Sequence, residues 1–230
     1  MFIGHFAFGF GAKSAAPRVS LGTLFLTAQL LDLLWPTFLL LGWERVVISP
    51  GITKVTPLDF THYPISHSLL LVLGWGLLSG GLYWLLSKYR RGALVVAICV
   101  LSHWVLDLVM HRPDLPLYPG DSPLLGLGLW NSLAGSLLVE GLLFAIGVEL
   151  YLRSTQARNR TGNWSLWALI IFLVVVYLLN LFGPAPPAVS AIAWAGQLQW
   201  LFVGWGYWID RNRRPLSQRG LQPENQLQEA

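Results

Sequence analysis

Apolar residues gather into six runs, at 19–42, 67–87, 92–110, 130–152, 164–183 and 189–209, separated by short polar stretches. Each run has roughly the 20 residues that a helix needs to cross a hydrocarbon core. The pattern predicts an all-α, polytopic helical membrane protein with about six transmembrane helices. The longest connections, 43–66 and 111–129, are too short to bury a core of their own, so residues 1–210 are expected to form one integral membrane domain. Residues 211–230 are polar throughout and are expected to be a disordered cytoplasmic tail.

Composition agrees with the pattern: 54% hydrophobic residues, 11% charged and 12 tryptophans in 230 residues depart from a soluble domain. The basic residues distinguish the two sides. Lys13, Arg18, Lys88, Arg90, Arg91, Arg153, Arg158, Arg160, Arg211, Arg213, Arg214 and Arg219 share one side, and only Arg45, Lys54 and Arg112 lie on the other. This bias predicts that the segment before the first span and the C-terminus are cytoplasmic. Topology and attraction to anionic headgroups of membrane lipids account for the net charge of +4, so no nucleic-acid partner is implied. Cys99, the single cysteine, is mid-span, which excludes a disulfide framework and a thiolate metal site. Lys13 follows the N-terminal apolar stretch instead of preceding it, so that stretch is expected to be retained.

All five histidines, His5, His62, His67, His103 and His111, precede residue 112, although three of the six apolar runs lie beyond it. Asp32 and Asp107 fall inside the early runs. Ionisable groups within a span are costly and face the bundle interior in pairs or mark a functional path, so this set calls for a cation. In SHWVLDLVMHRPD, His103, Asp107 and His111 recur every four residues and share one stripe of a helix. Imidazole and carboxylate on adjacent turns suit a divalent metal, with Zn²⁺ the first choice.

In HYPISHSLL, Pro64 keeps the segment before the second run from being helical, and Ser66 is suited to cap the helix that follows. His67 then stands at a helix start, whereas His62 serves equally well as an interfacial residue or as a substrate contact. At a rise of 1.5 Å per residue, Asp32, His103 and Asp107 lie roughly 20, 18 and 24 Å above the cytoplasmic turns of their spans. His5 reaches roughly 16 Å only if the N-terminal residues form a short buried half-helix. The alternative is an amphipathic anchor lying flat on the cytoplasmic face. The half-helix is preferred.

These residues resemble the LexA-regulated, membrane-bound metal-dependent hydrolases, small multispanning proteins of the bacterial inner membrane. The similarity covers residues 1–120, with His5 in GHFAFGFGA, Asp32, the doubled histidine of HYPISHS and HWVLDLVMHRPDLPLYP in order. Tyr63 and Pro64 stand where that family has Arg-Gly, and Asp32 is single where two acidic residues are common. The His-x3-Asp helix is also loosely similar to zinc-dependent phospholipase C. The resemblance implies a metal-dependent hydrolase whose metal site lies within residues 1–120, with residues 121–210 as supporting helices.

On this basis His5, Asp32, His67, His103 and Asp107 are expected to hold a divalent metal. Asp32 or Asp107 is the general base, and His62, His111 and Arg112 contact an ester or phosphoester of a lipid or lipid-linked substrate. Glu140, mid-span in SLLVEGLLF, is the later ionisable group able to support the cluster. Asp114 and Asp121 are expected to be solvated in loops, and Trp104, Tyr118 and Trp130 to join the aromatic belt. The site is expected toward the outer leaflet. A metal-ion or proton transporter using the same cluster, and a structural protein with a stabilising metal, are the alternatives. The absence of a repeat and of broken helices in matched halves argues against the transporter.

Overall fold

The computed structural model describes residues 1–216. Four helices among them are long and apolar enough to span a membrane: α5 (Leu69–Ser87), α6 (Arg90–Met110), α7 (Leu133–Ser154) and α8 (Arg160–Phe182). A fifth span exists if α2 (Leu21–Ala28) and α3 (Leu30–Leu40), bent by 55°, are taken together. By length and composition, four or five helices among the described residues qualify as spans, against the six expected. The run at 189–209 is divided into α9 (Val189–Gln197) and α10 (Gln199–Arg211), which meet at Leu198.

The first run breaks at Gln29, not at Pro36, which sits inside α3. A proline inside a helix leaves the carbonyl four residues earlier without its donor. Here that carbonyl, of Asp32, accepts from Nε2 of Gln199 at 3.4 Å, so a side chain of α10 replaces the lost bond. The two divided segments pack on each other, α2 against α10 and α3 against α9.

The N-terminal half-helix is α1 (Ile3–Ala15), with Phe6 and Phe10 fully buried. It lies mainly on α7 and α2. Gly147 permits this approach, because a Cβ there would lie 2.2 Å from the Ala7 carbonyl oxygen. Helices α5 and α6 form a hairpin in which a Cβ on Gly80 would lie 2.9 Å from the Ala93 carbonyl oxygen. The small residues Gly76 and Gly80 thus serve helix packing. The rest of α5 is outward: Leu77 and Leu86 are 76% and 87% exposed, as a lipid-facing surface requires.

Polar connections cover one end of the bundle. The hairpin β1 (Arg45–Ile48) and β2 (Leu58–His62) leads into a single turn, α4 (Pro64–His67), and short strands β3 (Leu115–Pro116) and β4 (Leu124–Leu125) follow α6. At the other end β5 (Thr155–Ala157) pairs with β6 (Arg213–Pro215). Arg213 is buried there, bonding Thr155 and the Gly162 carbonyl. Order therefore continues past the expected tail boundary at 211, and the remainder of that expected tail, 217–230, lies outside the described residues.

Candidate metal centre

Helices α1, α3, α4 and α6 bring His5, Asp32, His67, His103 and Asp107 together. Asp107, 1% exposed, is the hub. Its Oδ1 stands 3.1 Å from His5 Nε2 and 3.8 Å from His111 Nε2; its Oδ2 stands 3.2 Å from His103 Nε2 and 3.8 Å from His67 Nε2. The amino nitrogen of Met1 lies 2.7 Å from Oδ1. Asp32 Oδ1 faces the same two rings, 3.6 Å from His103 Nε2 and 3.7 Å from His67 Nε2. Donor atoms of His5, His103 and Asp107 lie within 4.8 Å of one another, and so do those of Asp32, His67 and His103. His103 belongs to both sets, its ring stacked on that of His5 at 3.5 Å between centroids.

The outer nitrogens of three rings are already committed. Nδ1 of His103 meets the carbonyl of Ala28 at 2.8 Å. Ala28 is the last residue of α2, so its carbonyl has no partner within that helix, and the break at Gln29 is what makes the contact available. Nδ1 of His67 meets Ser66 Oγ at 2.7 Å, and Ser66 Oγ donates to Glu44 Oε2 at 2.6 Å. A hydroxyl that spends its one proton on a carboxylate accepts from the imidazole. Nδ1 of His111 meets Asp114 Oδ1 at 2.9 Å, and the Tyr63 hydroxyl donates to the same oxygen at 2.9 Å. Burial, and then the Asp114 carboxylate, push the Tyr63 phenol well above its ordinary value, so it stays a donor. All three rings thus donate from Nδ1 and turn Nε2 to the cluster.

Several residues take places that the sequence did not indicate. Glu44, 2% exposed, follows α3 and accepts from the backbone of Ile65 and Ser66 as well as from Ser66 Oγ. Ser66 therefore links Glu44 to His67 and does not cap α5, which Ser68 precedes. Asp114 is buried, correcting its expected loop solvation, and Asp121 is exposed. Trp104 and Trp130 are 5% and 7% exposed, correcting their expected place in the aromatic belt; Trp130 packs 4.1 Å from the His111 ring.

His62 is exposed at the end of β2, opposite Arg45, and is not brought to the cluster. His111 is brought to it. Arg112 turns to Asp59 and to Asp114, the latter at 3.3 Å, instead of facing the cluster. Glu140 accepts from the backbone N–H groups of Phe2, at 2.9 Å, and Gly4, at 3.3 Å, so it anchors the start of the helix that carries His5. At the other end of that helix Lys13 pairs with Asp210 at 2.7 Å.

The family described as YdjM inner membrane protein matches residues 1–184. The chain belongs to that family. The match covers the cluster and α1–α8, and it fits the LexA-regulated inner-membrane resemblance of the motifs. Comparisons with curated proteins and with solved structures find no match. Family and apolar helices together place this YdjM-family chain in a membrane.

The donor set fits a divalent cation. Nε2 of His103 is buried with no hydrogen-bond partner, although it stands 3.2 Å from a carboxylate oxygen. An imidazole lone pair facing a carboxylate puts two electron-rich atoms together, and a proton or a cation between them relieves this. Protonating His5, His67, His103 and His111 together would leave excess positive charge beside Asp32 and Asp107, in a setting where uncompensated charge is expensive. Asp32, Asp107 and Glu140 face the Met1 ammonium, and one divalent cation balances the two negative charges that remain while leaving the rings neutral. Two ligand atoms bound to a common zinc stand roughly 3.3 Å apart at tetrahedral angles, within the range of separations here.

The cluster opens into a chamber of about 850 Å³. Asp32, His67, Asp107, His111, Glu140 and Trp130 line one part, the 50–58 segment another, and the end of α8, residues 183–187, α9 and α10 the rest. Among the described residues Lys54 is the one lysine or arginine in that lining.

Proposed function

We propose that this protein is a membrane-embedded, metal-dependent hydrolase acting on an ester or phosphoester of a lipid or lipid-linked substrate. The observation that carries the reading is the common orientation of His67, His103 and His111, each with Nδ1 tied to an outer acceptor and Nε2 turned to Asp107. This is how metal-ligating histidines are held. His5, Asp32, His67, His103 and Asp107 are the ligands, with His111 within reach of the same site and Zn²⁺ the first choice. When bound, the cation supplies a water of pKa near 7 and polarises the scissile group.

The residues divide the remaining work. Both aspartates line the chamber, but Asp107 is enclosed by four imidazoles and is 2% exposed in its side chain, whereas the side chain of Asp32 is 24% exposed. Asp32 is therefore the general base, since it can reach a proton on the chamber side. Arg112 is engaged by two carboxylates, so Lys54 takes the role of anion contact first given to it. The site faces the outer leaflet, under the 43–66 and 111–129 connections, and the C-terminus is cytoplasmic.

Elemental analysis of the purified protein tests the reading: bound divalent metal is expected in the native chain, and a folded native sample that takes up none overturns it. Asp107→Asn is expected to stay folded while losing metal and turnover of phosphoester probes; full turnover without metal would contradict it. A transporter is the second reading, favoured by the divided segments α2–α3 and α9–α10, because broken helices commonly line ion paths. Metal flux into liposomes carrying the protein, without hydrolysis, would select it.

A further inference from the structure

The chamber has two kinds of lining. Helices α3, α4, α6 and α7 and the residue after α6 contribute Asp32, His67, Asp107, Glu140 and His111, while α8, α9, the α9–α10 junction and α10 contribute Phe172, Val176, Ile192, Ala195, Leu198 and Phe202. We propose that this apolar wall is the binding slot for one hydrocarbon chain of the substrate, so that α8–α10, expected from sequence to be scaffold, select the substrate by its apolar part. The inference rests on the hydrolase reading above and names the part of the molecule that confers its lipid class.

Four observations converge on a chain and not on a small polar molecule. The apolar wall and the cluster line one chamber, so a molecule filling it sets a polar group against the Asp/His residues and hydrocarbon against the wall. A volume of about 850 Å³ exceeds what a headgroup needs and lies toward the upper end of the roughly 300–1,000 Å³ typical of ligand sites. The backbone that borders it is irregular, with Pro184, Pro186 and Pro187 between α8 and α9 and a break at Leu198. In a membrane such backbone is tolerated where it lines a cavity. The wall residues Ala191 and Ala195 are small and exposed although α9 packs on α3, which leaves width beside them for a chain.

The full-length protein in nanodiscs, with a lysophospholipid that carries a diazirine at the end of its single acyl chain, tests the slot. After photolysis, cross-linked peptides are mapped by mass spectrometry. Labels on the Phe172–Val176 and Ala191–Phe202 walls are expected, reduced about tenfold in Ala195→Phe and in Ala191→Phe, which fill the slot without adding charge. Two variants are used so that loss of fold in one leaves the other informative, and the native mapping stands without either. Labels confined to outward residues such as Leu77 and Leu86, or unchanged in both folded variants, overturn the slot. Labelling needs no turnover. Wall labelling in a protein that hydrolyses no ester and binds no metal would defeat the hydrolase reading and leave the slot, whereas hydrolysis with only outward labelling would do the reverse.

Discussion

Glu44 has no ligand atom in the cluster, yet it sets the orientation of His67. Its carboxylate accepts from the Ser66 hydroxyl and from two backbone N–H groups, and Ser66 in turn accepts from Nδ1. Removing the charge loosens that chain without touching the ring. Glu44→Gln is expected to weaken metal binding about 10–100-fold, read by competition against a chelator, with the helical content unchanged. Equal affinity in the two proteins would show that His67 needs no such support. The sequence marked His67 and left Glu44 unnoticed, because an acidic residue between an apolar run and a basic residue has the pattern of an ordinary interfacial group. His62 shows the opposite case: it shares the histidine motif, but the register of β2 against β1 turns it out. Arg112 likewise had the right charge and neighbourhood, and its pairing with Asp59 was invisible because Asp59 is distant along the chain.

Among the elements, α1 has the most to lose. It is 13 residues long and its first N–H groups have no partner within the helix. Glu140 supplies acceptors for Phe2 and Gly4, and a negative charge at a helix N-terminus is favourable as well. Glu140→Ala leaves those donors buried and is expected to cost about 1–3 kcal/mol in thermal unfolding, with loss of metal through displacement of His5. A variant with unchanged stability and metal content would remove this role. At the C-terminal end, Lys13 and Asp210 are 3% and 16% exposed in their side chains. Lys13→Met strands the Asp210 carboxylate and is expected to cost about 3–5 kcal/mol, most of which Lys13→Met/Asp210→Leu recovers, since replacing both partners leaves no stranded charge. A double variant as unstable as the single one would assign the loss to packing. Depth arithmetic on the sequence made a buried α1 the condition for His5 to join the site. The two anchors that hold it there come from α7 and α10, and only folding brings them near.

At the scale of the whole molecule, the basic residues predict which side each connection faces. In a Cys99→Ser background, Arg158→Cys at the β5 end is expected to react with an impermeant maleimide only after the inner membrane is opened, and Asp121→Cys in the β3–β4 connection to react once the outer side is reached. The reverse pattern would invert the topology and move the site to the cytoplasmic leaflet. Both positions are exposed, so accessibility reports on the membrane side and not on burial.

Apolar runs, basic flanks and the His-x3-Asp stripe are local in sequence. They sufficed for a helical membrane chain and for His103 and Asp107 on one face, because a helix converts spacing into direction whatever surrounds it. Where the runs break was decided by partners. A side chain from α10 supplies the donor that Pro36 cannot, and His103 takes the Ala28 carbonyl at the Gln29 break. Such contacts join residues far apart in the chain, so apolar periodicity does not record them. The same holds for Glu44, Asp114 and the chamber wall of α8–α10. The sequence by itself determined that costly groups lie within the membrane segments, and the tertiary structure decided which of them meet, because only packing brings their atoms within interaction distance.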